Sequence, residues 1–310
     1  MDAGITTCRG RIRSPLRWWG GKAALARLIV GLIPPGAPYV EVFGGAAHVL
    51  FAKEPGPLDV LNDRDQGLIE FYRVVRDPRQ GPELIRRLQW TLYSRAEWRW
   101  CRDTWATVTD DPVERARRWF VWMRQSFSGT GRSWSFAVTP QTPVAGTWAG
   151  VVADLERVRA RLATVQIECL DWRVCLRTYD GPSTVFYCDP PYHPETREPG
   201  SRTVYAAEMT AADHAELVDA LQRLQGMAVL SGYDHPVYAP LVAAGWQVIR
   251  RRVLSAGTAK TRIRGGRGIG AVRADRRRHR VEMVWVHPRL ATGTRQAAQL
   301  AWHWEEGDAP

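Results

Sequence analysis

Apolar residues recur at helical spacing over residues 22–33, where Leu25, Leu28, Ile29 and Leu32 share one face, and Pro34-Pro35-Gly36 stops the run. Two short apolar runs follow, at residues 39–43 and 58–61, and both read as strands. Between them, Gly44-Gly45-Ala46-Ala47 opens a stretch with helical potential that lasts to Ala52. Strand, glycine turn, helix and strand in this order begin a parallel sheet. A further helix is expected over residues 66–75, and residues 1–14 read as a flexible basic arm.

From residue 76 to 150 the texture changes. Arg, Trp, Ser and Gly dominate, and strand-like alternation is scarce. Residues 113–124 read as a helix, whereas 126–134 and 140–150, rich in Gly, Ser, Thr and Pro, read as loop or hairpin. The segment is expected to form an inserted, mostly helical lobe. The α/β pattern then resumes. Residues 151–162 carry Val151, Leu155, Val158 and Leu162 on one helical stripe, and residues 184–188 form an apolar strand running into Asp189-Pro190-Pro191-Tyr192. Thr210-Ala211-Ala212-Asp213 resembles a capping box opening a helix to about residue 224. Residues 227–231 read as a strand, and 246–253 with 281–286 as a closing antiparallel pair around a long Arg- and Gly-rich loop, 255–280. The expected fold is α/β, with a mixed, mostly parallel sheet built from residues 1–75 and 151–310, and the lobe at 76–150.

Composition narrows the class. The chain has 310 residues, 45% of them hydrophobic. That is enough for a sizeable core, and it excludes wholesale disorder, collagen and coiled coil. No apolar run reaches the roughly 18–20 residues of a membrane span, and no signal peptide follows Arg9, Arg11 and Arg13, so a cytoplasmic protein is expected. Five cysteines without a CxxC pair and seven histidines without an HxxxH pattern argue against a disulfide framework or structural zinc. The net charge is +11, and lysine occurs only at Lys22, Lys53 and Lys260, so the basic excess is arginine. Guanidinium forks suit phosphate and guanine, although a GC-rich genome also inflates arginine. The fifteen tryptophans, many between Trp90 and Trp148, serve equally as core or as stacking platforms.

Three features carry chemistry. Glu41-Val42-Phe43-Gly44-Gly45-Ala46-Ala47 is a small-residue turn after a strand, where backbone approaches a ligand closely; it lacks the GxGxxG spacing of nicotinamide binders. Asn62-Asp63-Arg64-Asp65 places carboxylates at the end of the next strand, where they bind ribose hydroxyls or cap a helix. Asp189-Pro190-Pro191-Tyr192 fixes an aspartate, a backbone carbonyl and an aromatic ring just past a strand. Two adjacent acceptors beside a ring suit a planar amino group; the alternative is a plain turn with a buried tyrosine.

In this order, these motifs resemble the Dam-like class of N6-adenine-specific DNA methyltransferases, which use S-adenosylmethionine. Pro15-Leu16-Arg17-Trp18-Trp19-Gly20-Gly21-Lys22 is similar to the family's N-terminal cofactor segment. Residues 41–47 are similar to its Phe-x-Gly-x-Gly loop, with Ala47 in place of the last Gly. Asn62 to Asp65 resembles its Asn-Asp-x-Asn motif, with Asp65 in place of the last Asn. Glu168-Cys169-Leu170-Asp171-Trp172 resembles the acidic-aromatic segment at the cofactor adenine, and Asp189 to Tyr192 the catalytic DPPY. Residues 229–234 and 281–285 resemble later strands, whereas 126–134 resembles only loosely the segment that reads DNA, so no target sequence follows.

The resemblance implies a Rossmann-like methyltransferase fold with an inserted DNA-recognition lobe. It implies that Asp189 and the Pro190 carbonyl accept the hydrogens of an adenine amine, with Pro191 setting the turn and Tyr192 stacking on a flipped-out base. Trp18 and Lys22 would lie at the methionine end of the cofactor, Glu41, Phe43 and Gly45 along the loop, and Asp63 at the ribose. Asp171 would meet the adenine amine and Trp172 its ring, with core packing as the alternative for both tryptophans. Arg124, Phe127, Arg132 and Trp134 would read DNA, Tyr205 would help hold the flipped base, and Lys260, Arg262 and Arg264 would grip phosphates. No metal is required. Expected partners are double-stranded DNA and, as an open option, a restriction endonuclease of the same system; a monomer is expected. Cytosine N4, RNA or a protein amide as substrate, a DNA-binding module without catalysis, and a nicotinamide oxidoreductase are the competing readings.

Overall fold

The computed structural model describes residues 12–18, 20–107, 110–137, 143–197, 207–254 and 279–291. Among the described residues seven strands form one sheet: β1 (Tyr39–Glu41), β2 (Asp59–Asn62), β3 (Val165–Glu168), β4 (Val185–Cys188), β5 (Met227–Gly232), β6 (Gln247–Leu254) and β7 (His279–Val286). Their order is β3-β2-β1-β4-β5-β7-β6. The first five are mutually parallel, and β7 runs antiparallel to both β5 and β6. This is the α/β architecture, with a mixed and mostly parallel sheet, expected from the sequence.

Side chains alternate between the sheet's faces with period two. Tyr39, Leu61, Tyr187, Val229 and Val284 enter one core; Val40, Val60, Phe186, Leu230 and Trp285 enter the other. Burial on both faces is why the central strands read as continuous apolar runs. β3 went unread because it lies at the sheet's edge, where only Val165 of its four residues is buried.

The helices are α1 (Ala26–Gly31), α2 (His48–Ala52), α3 (Gln66–Arg76), α4 (Gln80–Gln89), α5 (Arg95–Thr104), α6 (Pro112–Arg124), α7 (Val144–Leu162), α8 (Trp172–Tyr179), α9 (Ala211–Gln222), α10 (Ala239–Ala243) and α11 (Pro288–Ala291). Helices α8, α9 and α10 cover one face; α1, α2, α3 and α7 belong to the core of the other. That core continues into the 76–150 segment, where Phe120 of α6 stacks on Phe71 of α3 with ring centroids 4.7 Å apart. Beneath it Asp59 joins Arg161 at 2.6 Å and Lys53 at 2.8 Å, tying β2 to α7 and to the end of α2.

Two local expectations are corrected. The first helix begins at Ala26, not Lys22, because residues 22–25 turn so that the Lys22 carbonyl accepts from Leu25 and Ala26. Residues 144–150, expected as loop, belong to α7. There Trp148 is buried, donates to the Thr91 carbonyl at 3.2 Å and packs on Phe120, and this tertiary packing outweighs the weak helical propensity of Gly146 and Gly150. The capping box appears as expected, with Thr210 and Asp213 bonded reciprocally at the start of α9. Among the described residues no helix is long and apolar enough to cross a membrane.

Candidate active site

β1 has β2 on one side and β4 on the other. The connections leave β1 and β4 in opposite directions across the sheet, so a crevice opens at their carboxyl ends. A cleft open to solvent occupies this place. Its walls are the glycine turn after β1, Asn62 to Asp65 after β2, Leu170, Trp172 and Arg173 after β3, Asp189 and Pro191 after β4, and Trp18 with Lys22 from the N-terminal segment.

The turn is shaped for close approach. Gly45 has φ +47°, and a Cβ there would lie 2.9 Å from the Trp18 ring. Ala47 also sits in the left-handed region, at φ 52°. This conformation suits glycine, which is the physical sense of the glycine carried there in the family loop. Asp63 holds the turn: its Oδ2 accepts from the Gly45 N–H at 2.8 Å and its Oδ1 from the Asp65 N–H at 2.9 Å. Burial pushes the Asp63 carboxyl up to about 6, against the pull of these donors. Of the two aspartates able to cap a helix, Asp65 does so, accepting from Leu68 at 3.0 Å at the start of α3. Asn62 fastens the rim, donating to the Val42 carbonyl and accepting from the Leu170 N–H.

Glu41 lines the cleft but is bonded inward. Its Oε2 accepts from the Tyr39 hydroxyl at 2.8 Å and from the Leu50 N–H at 2.9 Å. Burial pushes its carboxyl up to about 8. Phe43 and Trp18 lie along the same wall, and Trp18 also packs on Trp119, with centroids 6.3 Å apart. Trp172 is buried and lines the cleft, with the Arg173 guanidinium 4.3 Å over its ring. The Asp171 carboxylate instead caps α8, accepting from the Arg173 N–H at 3.0 Å, and pairs with Arg64 at 3.2 Å. It is absent from the cleft wall, whereas its neighbours Leu170 and Trp172 form part of it.

Asp189 leaves β4 directly into the cleft. Its Oδ1 lies 2.9 Å from Lys22 Nζ. Burial pushes its carboxyl up to about 6; the Lys22 charge opposes this and Glu282 adds to it. Lys22 also donates to the Gly20 carbonyl at 2.8 Å and stands 4.7 Å from the centroid of Tyr192. Pro190 is buried and Pro191 faces the cleft. The Tyr192 hydroxyl donates to Glu282 of β7, and its ring meets Tyr233 edge-on at 4.4 Å. Arg197 donates to the Tyr192 carbonyl at 2.9 Å and pairs with Glu208. Glu282, Tyr233 and Arg197 were not singled out from the sequence. For Glu282 a signal existed: a charge inside the otherwise apolar run 281–286.

The candidate DNA-reading residues form a separate group. Arg124, at the end of α6, is half-buried, and its Nε has no hydrogen-bond partner among the described residues. Burial and the neighbouring Arg17 push its guanidinium down to about 10. Phe127, Arg132 and Trp134 lie on the following loop, closed by a bridge between Ser126 and Trp134. Trp134 stacks with Phe136 and packs on Tyr93, and Arg95 lies 5.0 Å over its ring. Gly129 of this loop, at φ +66°, presses on the backbone of Arg17 next to Trp18. Tyr205, Lys260, Arg262 and Arg264 lie outside the described residues, as does most of the arginine-rich loop.

Over 192 residues the chain is 25% identical to the DNA N-6-adenine-methyltransferase of Escherichia phage P1, an alignment covering 59% of this chain and 24% of that protein. The chain thus matches about a quarter of that relative's length. The family profile described as D12 class N6 adenine-specific DNA methyltransferase matches residues 18–239, which include Trp18, the glycine turn and Asp189 to Tyr192. With more than half of its length so matched, and the cleft standing where those motifs converge, the chain belongs to the D12 class of N6-adenine-specific DNA methyltransferases.

Proposed function

We propose that this chain methylates the exocyclic N6 amine of an adenine flipped out of double-stranded DNA, using S-adenosylmethionine. The carrying observation is that Asp189, paired with buried Lys22, lines the same cleft as the Asp63-braced glycine turn. The residues present fit the cofactor: the turn offers a cradle that a Cβ at Gly45 would fill, and Asp63, with backbone donors from Gly45, Arg64 and Asp65, keeps acceptor capacity on its carboxylate. Trp18 and Lys22 would lie at its methionine end, Glu41, Phe43 and Gly45 along the loop, Asp63 at the ribose hydroxyls and Trp172 at the adenine face. Asp171, engaged at the α8 N-terminus, would reach the adenine amine only by giving up its bond to Arg64. Once bound, S-adenosylmethionine supplies an electrophilic methyl group on a sulfonium.

The protein's own residues do the rest. An adenine amine is a poor nucleophile because its lone pair is delocalised into the ring. Asp189 and the Pro190 carbonyl accept its two hydrogens, favouring a pyramidal nitrogen as positive charge develops there. Tyr192 stacks on the extruded base and offsets part of the unstacking cost of a few kcal/mol. Residues 76–150 present Arg124, Phe127, Arg132 and Trp134 to the duplex, and Tyr205, Lys260, Arg262 and Arg264 complete the DNA contacts. This reading includes a cytoplasmic monomer, with a restriction endonuclease as an optional companion.

The test is to incubate wild type and Asp189→Ala with S-adenosylmethionine and unmethylated DNA, digest the DNA, and identify the modified nucleosides by mass spectrometry. N6-methyladenine from wild type alone supports the reading. N4-methylcytosine keeps the site chemistry and overturns the base. Failure to bind the cofactor overturns the reading.

A further inference from the structure

Glu282 occupies a position that the fold does not require to be acidic. On β7 it shares a face with Val284 and Val286, which enter the apolar core, and it is itself only 8% exposed. A carboxylate in such a place is costly unless partnered. Its partners are the Tyr192 hydroxyl and, at 3.9 Å, Lys22 Nζ.

Lys22 is bound at present to the other acid. It lies 2.9 Å from Asp189 Oδ1, anchored by the Gly20 carbonyl at 2.8 Å. In that arrangement the charge that the proposed reaction draws on at Asp189 is already shared with a cation. The carboxylate keeps lone pairs for an amine hydrogen, but the charge needed beside a nitrogen turning positive is offset by the ammonium. Opening the pair as the amine arrives restores that charge, but a buried ammonium left alone is strongly destabilised. A second seat within reach solves this. Glu282 offers one, through the same oxygen that accepts from Tyr192.

We propose that Glu282 is a positioning residue that receives Lys22 from Asp189 as the substrate amine binds, while holding Tyr192 in place to stack. This rests on the reading of Asp189 as the amine acceptor. Facing Asp189 are Lys22 from the N-terminal segment, Glu282 from β7, Tyr192 of its own loop, Tyr187 and Cys188 of β4 and Glu41 of β1. Glu41 is bonded to Tyr39 and Leu50, and Tyr187 exchanges a hydrogen bond with Ser231, so substitution of Glu282 leaves both in place.

The experiment compares wild type, Glu282→Gln, Glu282→Asp, Tyr192→Phe and Asp189→Ala as full chains. It measures single-turnover methylation against pH, KM for cofactor and DNA, and thermal melting to establish folding. Glu282→Gln can still accept from Tyr192 but has lost its charge. Its rate is expected to fall by about tenfold or more, with each KM changed less than about threefold. The acid limb of its profile is expected to move to lower pH, because Asp189 loses a neighbouring negative charge. Tyr192→Phe lowers the rate without moving the limb, and Glu282→Asp, which keeps the charge, returns the limb towards wild type. A wild-type rate and limb for Glu282→Gln overturns the inference, as does a loss matching Tyr192→Phe with the limb unmoved. If Glu282→Gln fails to fold, a Glu282→Asp limb displaced from wild type overturns it. Activity in Asp189→Ala instead overturns the underlying reading of the site.

Discussion

Glu41 is a carboxyl that the fold keeps protonated, and Glu41→Gln exposes the consequence. Burial moves it from 4.5 to about 8 in the folded chain. In the unfolded chain it ionises near 4.5, so folding takes up a proton between these values. The favourable contribution is therefore complete below about pH 4.5 and is lost as pH rises through about 8. At about 1.4 kcal/mol per decade the whole loss approaches about 5 kcal/mol. Asp63 and Asp189, raised to about 6, act in the same direction but finish titrating earlier. Between pH 6.5 and 8.5 the loss assignable to Glu41 is about 2 kcal/mol. Glutamine mimics the protonated acid and still accepts from Tyr39 and Leu50, so its curve lacks this slope. The assay is urea unfolding of both proteins across that pH range, followed by tryptophan fluorescence, with Trp119 and Trp285 as buried reporters. The two stabilities should diverge with pH by about 2 kcal/mol, in favour of the glutamine variant. Parallel curves would refute the reasoning, because they would mean that Glu41 is already ionised inside the fold at neutral pH.

Methylation should slow as pH drops through about 6, since a protonated Asp189 no longer accepts both an amine hydrogen and its charge; a rate flat down to pH 5 would contradict this. Asp59→Ala leaves Arg161, whose side chain is 3% exposed, without its carboxylate, and should cost about 3–5 kcal/mol in urea unfolding. Gly129→Ala places a methyl 2.1 Å from the Arg17 carbonyl oxygen at a left-handed φ. It should lower stability by at least about 1–2 kcal/mol. Because Arg17 adjoins Trp18 on the cleft wall, it should also weaken cofactor binding by calorimetry, and an unchanged affinity would show that the loop and the cleft are independent.

The sequence by itself determined the layered α/β plan. Strands β1, β2, β4 and β5 are buried on both faces, so their apolar runs are visible without a partner, and each is bounded by turn residues. The glycine turn and the DPPY segment were legible for a similar reason: a left-handed backbone and a rigid double proline are local demands written in single residues. Where partnership decides, local pattern is silent. Asp63 and Asp65 look alike in sequence; one braces the Gly45 turn, eighteen residues away, and the other caps α3. Asp171 and Trp172 are adjacent, yet the helix beginning between them turns one to the cap and the other to the cleft. β3 at the sheet edge and the first turns of α7 lacked an apolar signature, because β3 buries little and the start of α7 depends on Trp148 packing against Phe120. Lys22, Asp189 and Glu282 come from three distant parts of the chain and meet only because the connections leaving the paired strands β1 and β4 diverge at the switch point while β7 inserts beside β5. Periodicity reports which side of an element is buried; which charges then face one another is set by strand order, and that is a property of the assembled sheet.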